Sequence, residues 1–478
     1  MAARFRGLAL TFDDILLEPS ASSVIPSEVK VSTNLTKKIK LNVPLISAAM
    51  DTVTESSMAI SMAKMGGIGV IHRNLTIDDQ AGQVRKVKRS ESGVITDPIT
   101  LSPQATLEEA NMLMSEHNIS GIPVVNDHRL KGIVTERDLR LETNLSKKVE
   151  EVMTKSQVIT TKVGTTLPQA EKILKKYKIE KLPVVDKKGQ LKGLITWKDL
   201  SKIKMYPAAS KDENGRFLVA AAIGVGNDML QRSTALVAAG VDILIVDTSH
   251  AHHKNILKAV PLLRKAFPNK ELIVGNVATA SATAALIKLG ADAVKVGIGS
   301  GSICTTRDVA AVGVPQFTAI LECSKAAKNS RVPMIADGGI VFPADIVKAL
   351  AAGASSVMLG SLLAGTDEAP GDIIISSDGR RYKKYRGMGS YEAIKVRGND
   401  RYFQKEVPEG VSGKVPYKGS VSGVVKKLVA SLRTAMGYYG ANEIHDLCNT
   451  QYWQITGAGM KESHPHTVIT DADEETFH

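Results

Sequence analysis

Eight short apolar runs, most ending in a glycine or a small polar residue, constrain this chain more than any other feature. In order they are VPLISAAMD, IGVI, VAAAIGV, ILIVDTS, LIVGNV, AVKVGI, PMIADGGI and SVMLGS, with helix-like sequence between them. Strands with one wet face alternate apolar and polar residues, whereas parallel strands buried on both faces read as continuous apolar runs. Eight such runs predict an α/β fold, a (β/α)8 TIM barrel, whose chemistry sits on loops at the carboxyl ends of the strands. A doubly wound sheet is the alternative, but no GxGxxG follows the first strand. Aromatic residues are only 4% of the chain, which suits a core of small branched side chains.

The interval between the second and third runs holds an internal repeat. TLEEANMLMSEHNISGIPVVNDHRLKGIVTERDL begins at Thr106, and TLPQAEKILKKYKIEKLPVVDKKGQLKGLITWKDL begins at Thr166. Pro123 matches Pro183, Gly132 matches Gly193, Thr135 matches Thr196 and Asp138 matches Asp199. Each copy opens with a capping box, Thr106 with Glu109 and Thr166 with Gln169, which starts a helix. The pattern resembles a tandem CBS (Bateman) pair, a module known for binding adenine or guanine nucleotides. On that resemblance, Thr135, Asp138, Thr196 and Asp199 would meet a ribose. The expected organisation is a barrel in two parts, 1–92 and 205–478, interrupted by a module at 93–204 whose halves are 93–148 and 149–204.

The formal net charge is +12, which raises polyanion partners as a possibility. Much of the excess lies between 149 and 204, where thirteen lysines stand against six acidic residues. They fall on helix-like stretches with no zinc-finger or RNP pattern, so a solvated helix face is the plain reading and nucleic acid is not expected as the main partner. No run approaches the length of a membrane span, and no membrane partner is expected. The three cysteines, Cys304, Cys323 and Cys448, have neither disulfide nor metal-ligand spacing. A reducing, cytoplasmic setting is expected, with any thiol of interest free.

Cys304 lies in GSGSICTTR, residues 299–307, directly after the sixth run. Glycines at 297, 299 and 301 allow backbone groups to approach a ligand closely. A thiol at a barrel mouth near Arg307 is placed to act as a nucleophile; a structural cysteine is the alternative on spacing alone. Cys323 and Cys448 sit in apolar helical contexts and read as structural.

The cysteine loop closely resembles that of inosine monophosphate dehydrogenases and guanosine monophosphate reductases. SAAMDTVTE (47–55), GGIGVIHRN (66–74), ADGGI (336–340), VMLGSLLAGT (357–366), YRGMGS (385–390), VPYKG (415–419) and ESHPH (462–466) carry the likeness across nearly the whole chain. DRYFQ (400–404) belongs to the flap of the dehydrogenases and favours that branch.

That resemblance implies a reaction and its residues. Cys304 would attack C2 of the hypoxanthine ring of inosine 5′-monophosphate. Hydride would leave to NAD+, and water would hydrolyse the covalent thioimidate to xanthosine 5′-monophosphate, committing the product to guanine nucleotides. Ser302, Gly339, Gly360, Ser361 and Tyr385 would hold the phosphate and Asp337 the ribose, while Met388 and Gly389 would meet the purine edge, with Glu409 beside the substrate. Arg401, next to Tyr402, would serve as the base for hydrolysis, on a mobile flap at about 387–417. Thr306 and Glu409 match a second route, in which a hydroxyl is deprotonated through a carboxylate.

Asp247, Ser249, Asn276 and Gly297 would lie beside NAD+. Thr248, Ala251 and His253 depart from the usual DSSHGHS, and Ala251 would strain the backbone if its position needed φ > 0. Potassium would be held by carbonyls of Gly299, Gly301 and Cys304, completed by Glu462, Ser463 and His464 of a neighbouring subunit. The histidines of ESHPH have no third ligand spaced with them, so zinc is not expected. The shared site implies a homotetramer, with octamer formation through the CBS modules as a further option. A reductase on the same scaffold is the first rival reading, and a nucleotide-sensing or nucleic-acid-binding regulator the second.

Overall fold

The eight apolar runs are the eight strands of a closed parallel barrel in the computed structural model of the chain. They are β1 (Leu45–Ser47), β2 (Ile68–Ile71), β3 (Val219–Ile223), β4 (Ile243–Asp247), β5 (Glu271–Val277), β6 (Ala293–Val296), β7 (Met334–Asp337) and β8 (Ser356–Leu359). Each pairs with the next, and Val357 of β8 pairs with Leu45 of β1 to close the ring. The structure describes residues 5–90, 95, 98–117, 119–140, 142–198, 200, 206–397 and 407–467.

The barrel interior follows from the period of two along a strand. Ile46, Ile68 and Val70, Ala220 and Ala222, Ile243 and Ile245, Ile273, Ala293, Ile335 and Met358 form one buried cluster, with Leu35 and Leu41 of a short hairpin packed into it. Two residues further along the same inward faces stand Asp247, Gly275, Lys295 and Asp337. The parity that buries the apolar layers therefore aims a polar layer at the mouth. Helices such as Ser56–Lys64, Ala280–Lys288, Gln316–Ala327 and Pro343–Ala351 return the chain outside the ring. Pro343 stands in the first turn of its helix, where its missing N–H costs nothing.

Beyond β8 the chain adds a three-stranded antiparallel sheet: β9 (Ile373–Ile375), β10 (Arg381–Arg386) and β11 (Ser412–Pro416). Tyr385 pairs with Gly413 and Arg386 with Ser412, so the far end of the expected flap is a regular strand. A helix, Tyr391–Arg397, occupies its near end. Arg401 and Tyr402 lie outside the described residues.

The chain separates into two compact units, one of residues 1–88, 208–211 and 217–478, the other of 89–207 and 212–216. The second unit contains the repeat. Each copy places a helix, Leu107–His117 or Leu167–Tyr177, before an antiparallel strand pair, Gly121–Asn126 with Arg129–Thr135 or Lys181–Val185 with Leu191–Thr196. Each copy has its own core, around Leu107, Ile122 and Val134 in the first and Leu174, Leu182 and Ile195 in the second. The first capping box is formed as read: Thr106 N–H donates to Glu109 Oε2 at 3.0 Å, and Glu109 N–H to Thr106 Oγ1 at 3.2 Å. In the first copy Asp138 accepts from Thr135 N–H and Thr135 Oγ1, both at 2.8 Å. Asp199 is outside the described residues.

Thr106→Ala removes that cap and is expected to destabilise the second unit by about 1 kcal/mol, read as a lower melting transition by calorimetry. An unchanged melt would show that the cap contributes nothing to stability.

Candidate active site

Cys304 stands in the turn after β6. Its N–H donates to Gly301 O at 3.0 Å, and the backbone turns through Gly299 at φ +73. A β-carbon at Gly299 would meet the Arg307 side chain at 2.7 Å, and Arg307 Nη2 donates to Val314 O at 2.8 Å. Arg307 thus braces the loop from behind.

The thiol is not alone. Cys304 Sγ lies 3.2 Å from Thr306 Oγ1, and Thr306 Oγ1 donates to Glu409 Oε2 at 2.8 Å. Because the threonine proton points at the carboxylate, the thiol is the donor in the first contact. Glu409 is brought there by backbone pairing: Thr305 N–H donates to Glu409 O at 3.3 Å, Val411 N–H to Ile303 O at 3.0 Å, and Gly410 bridges to both Cys304 and Ser390. Glu409 N–H in turn donates to Gly389 O at 3.1 Å, so the purine-edge candidates Met388 and Gly389 lie beside the cysteine loop.

The polar layer at the mouth is organised by a residue that the sequence reading passed over. Lys295, its side chain 3% exposed, places Nζ 2.8 Å from Asp247 Oδ1 and 2.5 Å from Asp337 Oδ2, and donates also to Asn276 Oδ1. An ammonium has three donors, and all three are used. Asn276 Nδ2 donates to Gly297 O at 2.7 Å and to Asp337 Oδ2 at 2.9 Å. A β-carbon at Gly275 would meet the β-carbon of Lys295 at 2.5 Å, so glycine there makes room for the lysine stem. The signal was the charged residue inside AVKVGI, a strand otherwise apolar; a buried lysine needs partners.

The electrostatics follow. Burial alone would push the Asp247 carboxyl up, but the charge and hydrogen bond of Lys295, with Arg73 adding, hold it below the usual carboxylate range. Burial works against the charge on Lys295 too, yet Asp247 and Asp337 raise it well above the ordinary lysine range. All of these bonds to the Asp337 carboxylate are made through Oδ2.

Tyr385, 5% exposed, is the centre of the remaining candidates. Burial, together with the Asp337 charge and against a hydrogen bond with Ser302, pushes its phenol up to about 12, so it stays protonated and can donate. Its hydroxyl occupies the space that a Gly360 side chain would need, 2.6 Å from the β-carbon position. Ser361 opens the short helix Ser361–Ala364, and Gly339 turns at φ +80. Ser302, Gly360 and Tyr385 are therefore neighbours.

The cofactor candidates divide. Asp247 is half-buried against Lys295 at the end of β4, and Ser249, two residues on, is exposed. Gly297 uses its N–H on Val277 O and its carbonyl on Asn276, and Asn276 uses both amide protons within the cluster, so these two support the site from below. Ala251 is buried and is not at positive φ; its N–H donates to Asn276 O at 2.8 Å, and the alanine causes no backbone strain. His253 caps the helix Lys254–Ala266, accepting from Asn255 N–H.

Gly299, Gly301 and Cys304 could offer a cation only backbone carbonyls, oxygen donors that suit a hard ion rather than zinc, and Gly301 O already accepts from Cys304 N–H. Glu462 and Ser463 are exposed at the end of the helix Gly457–Glu462, and His464 packs on Phe342 with ring centroids 4.9 Å apart. Among the described residues, no group of three His, Cys, Asp or Glu could hold a metal ion. Cys323 is fully buried, its thiol pushed up to about 11 mainly by burial, and burial likewise raises that of Cys448; neither is poised to react. No helix among the described residues is long and apolar enough to cross a membrane.

A parallel barrel with a cysteine–threonine–glutamate chain at its carboxyl-end mouth, beside two carboxylates joined by one lysine, defines the class as a (β/α)8-barrel enzyme. The family model described as the IMP dehydrogenase / GMP reductase domain matches residues 9–466, and the chain belongs to that family. An inosine-5′-monophosphate dehydrogenase of Bacillus subtilis (strain 168) is 54% identical over 98% of this chain and 97% of its own. That of Aquifex aeolicus (strain VF5) is 57% identical over 96% and 95%. Among solved structures, a GMP reductase from Trypanosoma brucei in complex with guanosine 5′-monophosphate superposes with a TM-score of 0.90 at 39% identity, covering 97% of this chain and 98% of that one.

Lys295→Met tests the polar layer. Two half-buried carboxylates lose their buried cation, which is expected to cost roughly 1–3 kcal/mol in urea unfolding near neutral pH. A depressed carboxyl contributes stability that is complete above its unfolded value, about 4, and is lost as pH falls through the lower folded value. Without Lys295 burial dominates at Asp247, so acid unfolding of the variant should begin at higher pH than in the parent. Superimposable acid titrations would refute the clamp.

Proposed function

We propose that the chain oxidises inosine 5′-monophosphate to xanthosine 5′-monophosphate with NAD+ through a covalent bond from Cys304 to C2 of the purine. The observation that carries this reading is the contact chain from Cys304 Sγ through Thr306 Oγ1 to Glu409 Oε2, in a family whose most similar relatives here are dehydrogenases at 53–57% identity.

As Cys304 adds to the ring, its proton passes to Thr306, whose own proton moves to Glu409; the carboxylate is neutralised and the sulfur becomes the nucleophile. NAD+, when bound, accepts the hydride from C2. In the hydrolytic half, after Glu409 has released that first proton to solvent, the same hydroxyl and carboxylate take a proton from water, alongside Arg401 and Tyr402 of the flap motif. Ser302, Gly339, Gly360, Ser361 and the neutral Tyr385 hold the phosphate. Asp337 accepts from the ribose with the oxygen that Lys295 leaves open, and Met388 and Gly389 meet the purine edge. Asp247 and Ser249 hold the cofactor, with Asn276 and Gly297 shaping its floor.

Potassium at the carbonyls of Gly299, Gly301 and Cys304, completed by a neighbour's Glu462, Ser463 and His464, would fix the cysteine loop. That sharing makes the working form a homotetramer in the cytoplasm. The second unit is read as a CBS pair that binds adenine or guanine nucleotides and extends the assembly to an octamer, with Thr135 and Asp138 at one ribose and Thr196 and Asp199 at the other. The reductase reading is favoured by the Trypanosoma brucei neighbour; the lower identity, 39% against 53–57%, places it second.

Purified protein with inosine monophosphate, NAD+ and potassium is expected to form NADH, faster than with sodium, and Cys304→Ala to form none. Glu409→Gln should lower turnover by about 10²–10⁴-fold and remove the acid limb of the pH profile. NADPH consumption with guanosine monophosphate, and no NADH, would replace the dehydrogenase by the reductase.

A further inference from the structure

A second buried ion pair in the barrel mouth belongs to none of the groups assigned above. Asp51, in the loop after β1, faces Arg386, the last residue of β10. Arg386 Nε donates to Asp51 Oδ1 at 3.0 Å and Nη2 to Oδ2 at 2.6 Å, with side chains 16% and 7% exposed. Asn74, just past β2, donates its amide to Asp51 Oδ2 at 2.6 Å. Arg386 N–H donates to Thr52 Oγ1 at 3.2 Å, and Glu392 lies 3.6 Å from Arg386 Nη1.

Withdrawing two charges from water seldom adds net stability, and apolar replacements often do as well or better. A two-pronged guanidinium–carboxylate contact supplies what an apolar contact does not, a fixed orientation in the plane of the fork. The position shows what is being oriented. Arg386 lies between Tyr385 and loop 387–389, which holds the purine-edge candidates Met388 and Gly389, and Asp51 follows Met50, whose sulfur lies 3.9 Å from Tyr385 Oη. Gly387 N–H donates to Val411 O at 3.0 Å and Glu409 N–H to Gly389 O. The fork therefore ties the first two barrel strands to a loop that is itself bonded to Glu409.

We infer that Asp51 and Arg386 are positioning residues for the reaction, registering loop 387–389, and through it Glu409, against the barrel so that the substrate pocket and the Cys304–Thr306–Glu409 chain share one geometry. The inference rests on the dehydrogenase reading. Neither residue takes part in bond making; each acts through Tyr385, the loop and Glu409.

Three variants test it: Arg386→Lys, which keeps the charge and loses the fork; Asp51→Asn, which keeps the shape and loses the charge; and the exchange of Asp51→Arg with Arg386→Asp. The readouts are KM for inosine monophosphate, KM for NAD+, the rate of the first NADH burst, and the melting temperature. Arg386→Lys is expected to melt near the parent while kcat/KM for inosine monophosphate falls on the order of ten- to a hundredfold, with a slower burst and an NAD+ KM within about twofold. Asp51→Asn should move the same way, and the exchange should recover part of the loss, as coupled neighbours do.

Arg386→Lys with burst rate and substrate KM within about twofold of the parent would overturn the inference, even if the exchanged protein fails to fold. So would a change confined to the NAD+ KM, or a lowered melting temperature with no kinetic change. A parent protein silent with inosine monophosphate and NAD+ would remove the dehydrogenase reading and this inference together; an active parent matched by its variants would remove the inference alone.

Discussion

The ammonium of Lys295 stands where strands β4, β5, β6 and β7 reach the mouth, within hydrogen-bonding distance of Asp247, Asn276 and Asp337. Without a cation between them, two carboxylates on strands of one barrel would repel, and burial would drive at least one to take up a proton. With it, both are fixed in direction, and Asp247 is held below the usual carboxylate range. The ends of four strands at the mouth are thus held on one charged group. The apolar layers beneath, from Ile46 round to Met358, keep water from competing for those bonds. The cost of burying a lysine is met by three acceptors and by the glycine at 275 that gives its stem room.

Much of the fold was legible because its signals are local. The eight runs became eight strands, since continuous apolar sequence of that length leaves few other uses, and the repeat became two similar helix–strand–strand copies with the first capping box formed as read. The same habit hid Lys295: counting AVKVGI as an apolar run discarded its most informative residue. Asp51 and Arg386 were likewise inside quoted motifs, but a pairing across more than three hundred residues leaves no trace in spacing. Thr306 and Glu409 came from resemblance alone, for the same reason. The worry over Ala251 dissolved once its backbone was seen not to need a glycine, and the function of His253 as a helix cap is a local feature that the departure from the family pattern had obscured.

Asn276 and Gly297 illustrate a different limit. Sequence places them at neighbouring strand ends, where a cofactor contact and an internal bond are equally natural. The structure uses their polar groups in bonds to each other, to Asp337 and to Val277. Residues of this kind are hard to distinguish from ligand contacts in any barrel, because both sit at the same register of the strand.

The Thr306–Glu409 hydrogen bond joins residues 103 positions apart, and the ring that carries Cys304 closes only when β8 finds β1. During synthesis the thiol therefore emerges well before the carboxylate that would draw off its proton. Contacts this distant in sequence form late, because the loop between them must close first. Until then Cys304 lacks the threonine and glutamate contacts that it has in the folded chain. On the proposed reading, the relay around this thiol is acquired only with the completed fold, so a nascent or partly unfolded chain carries the cysteine without it.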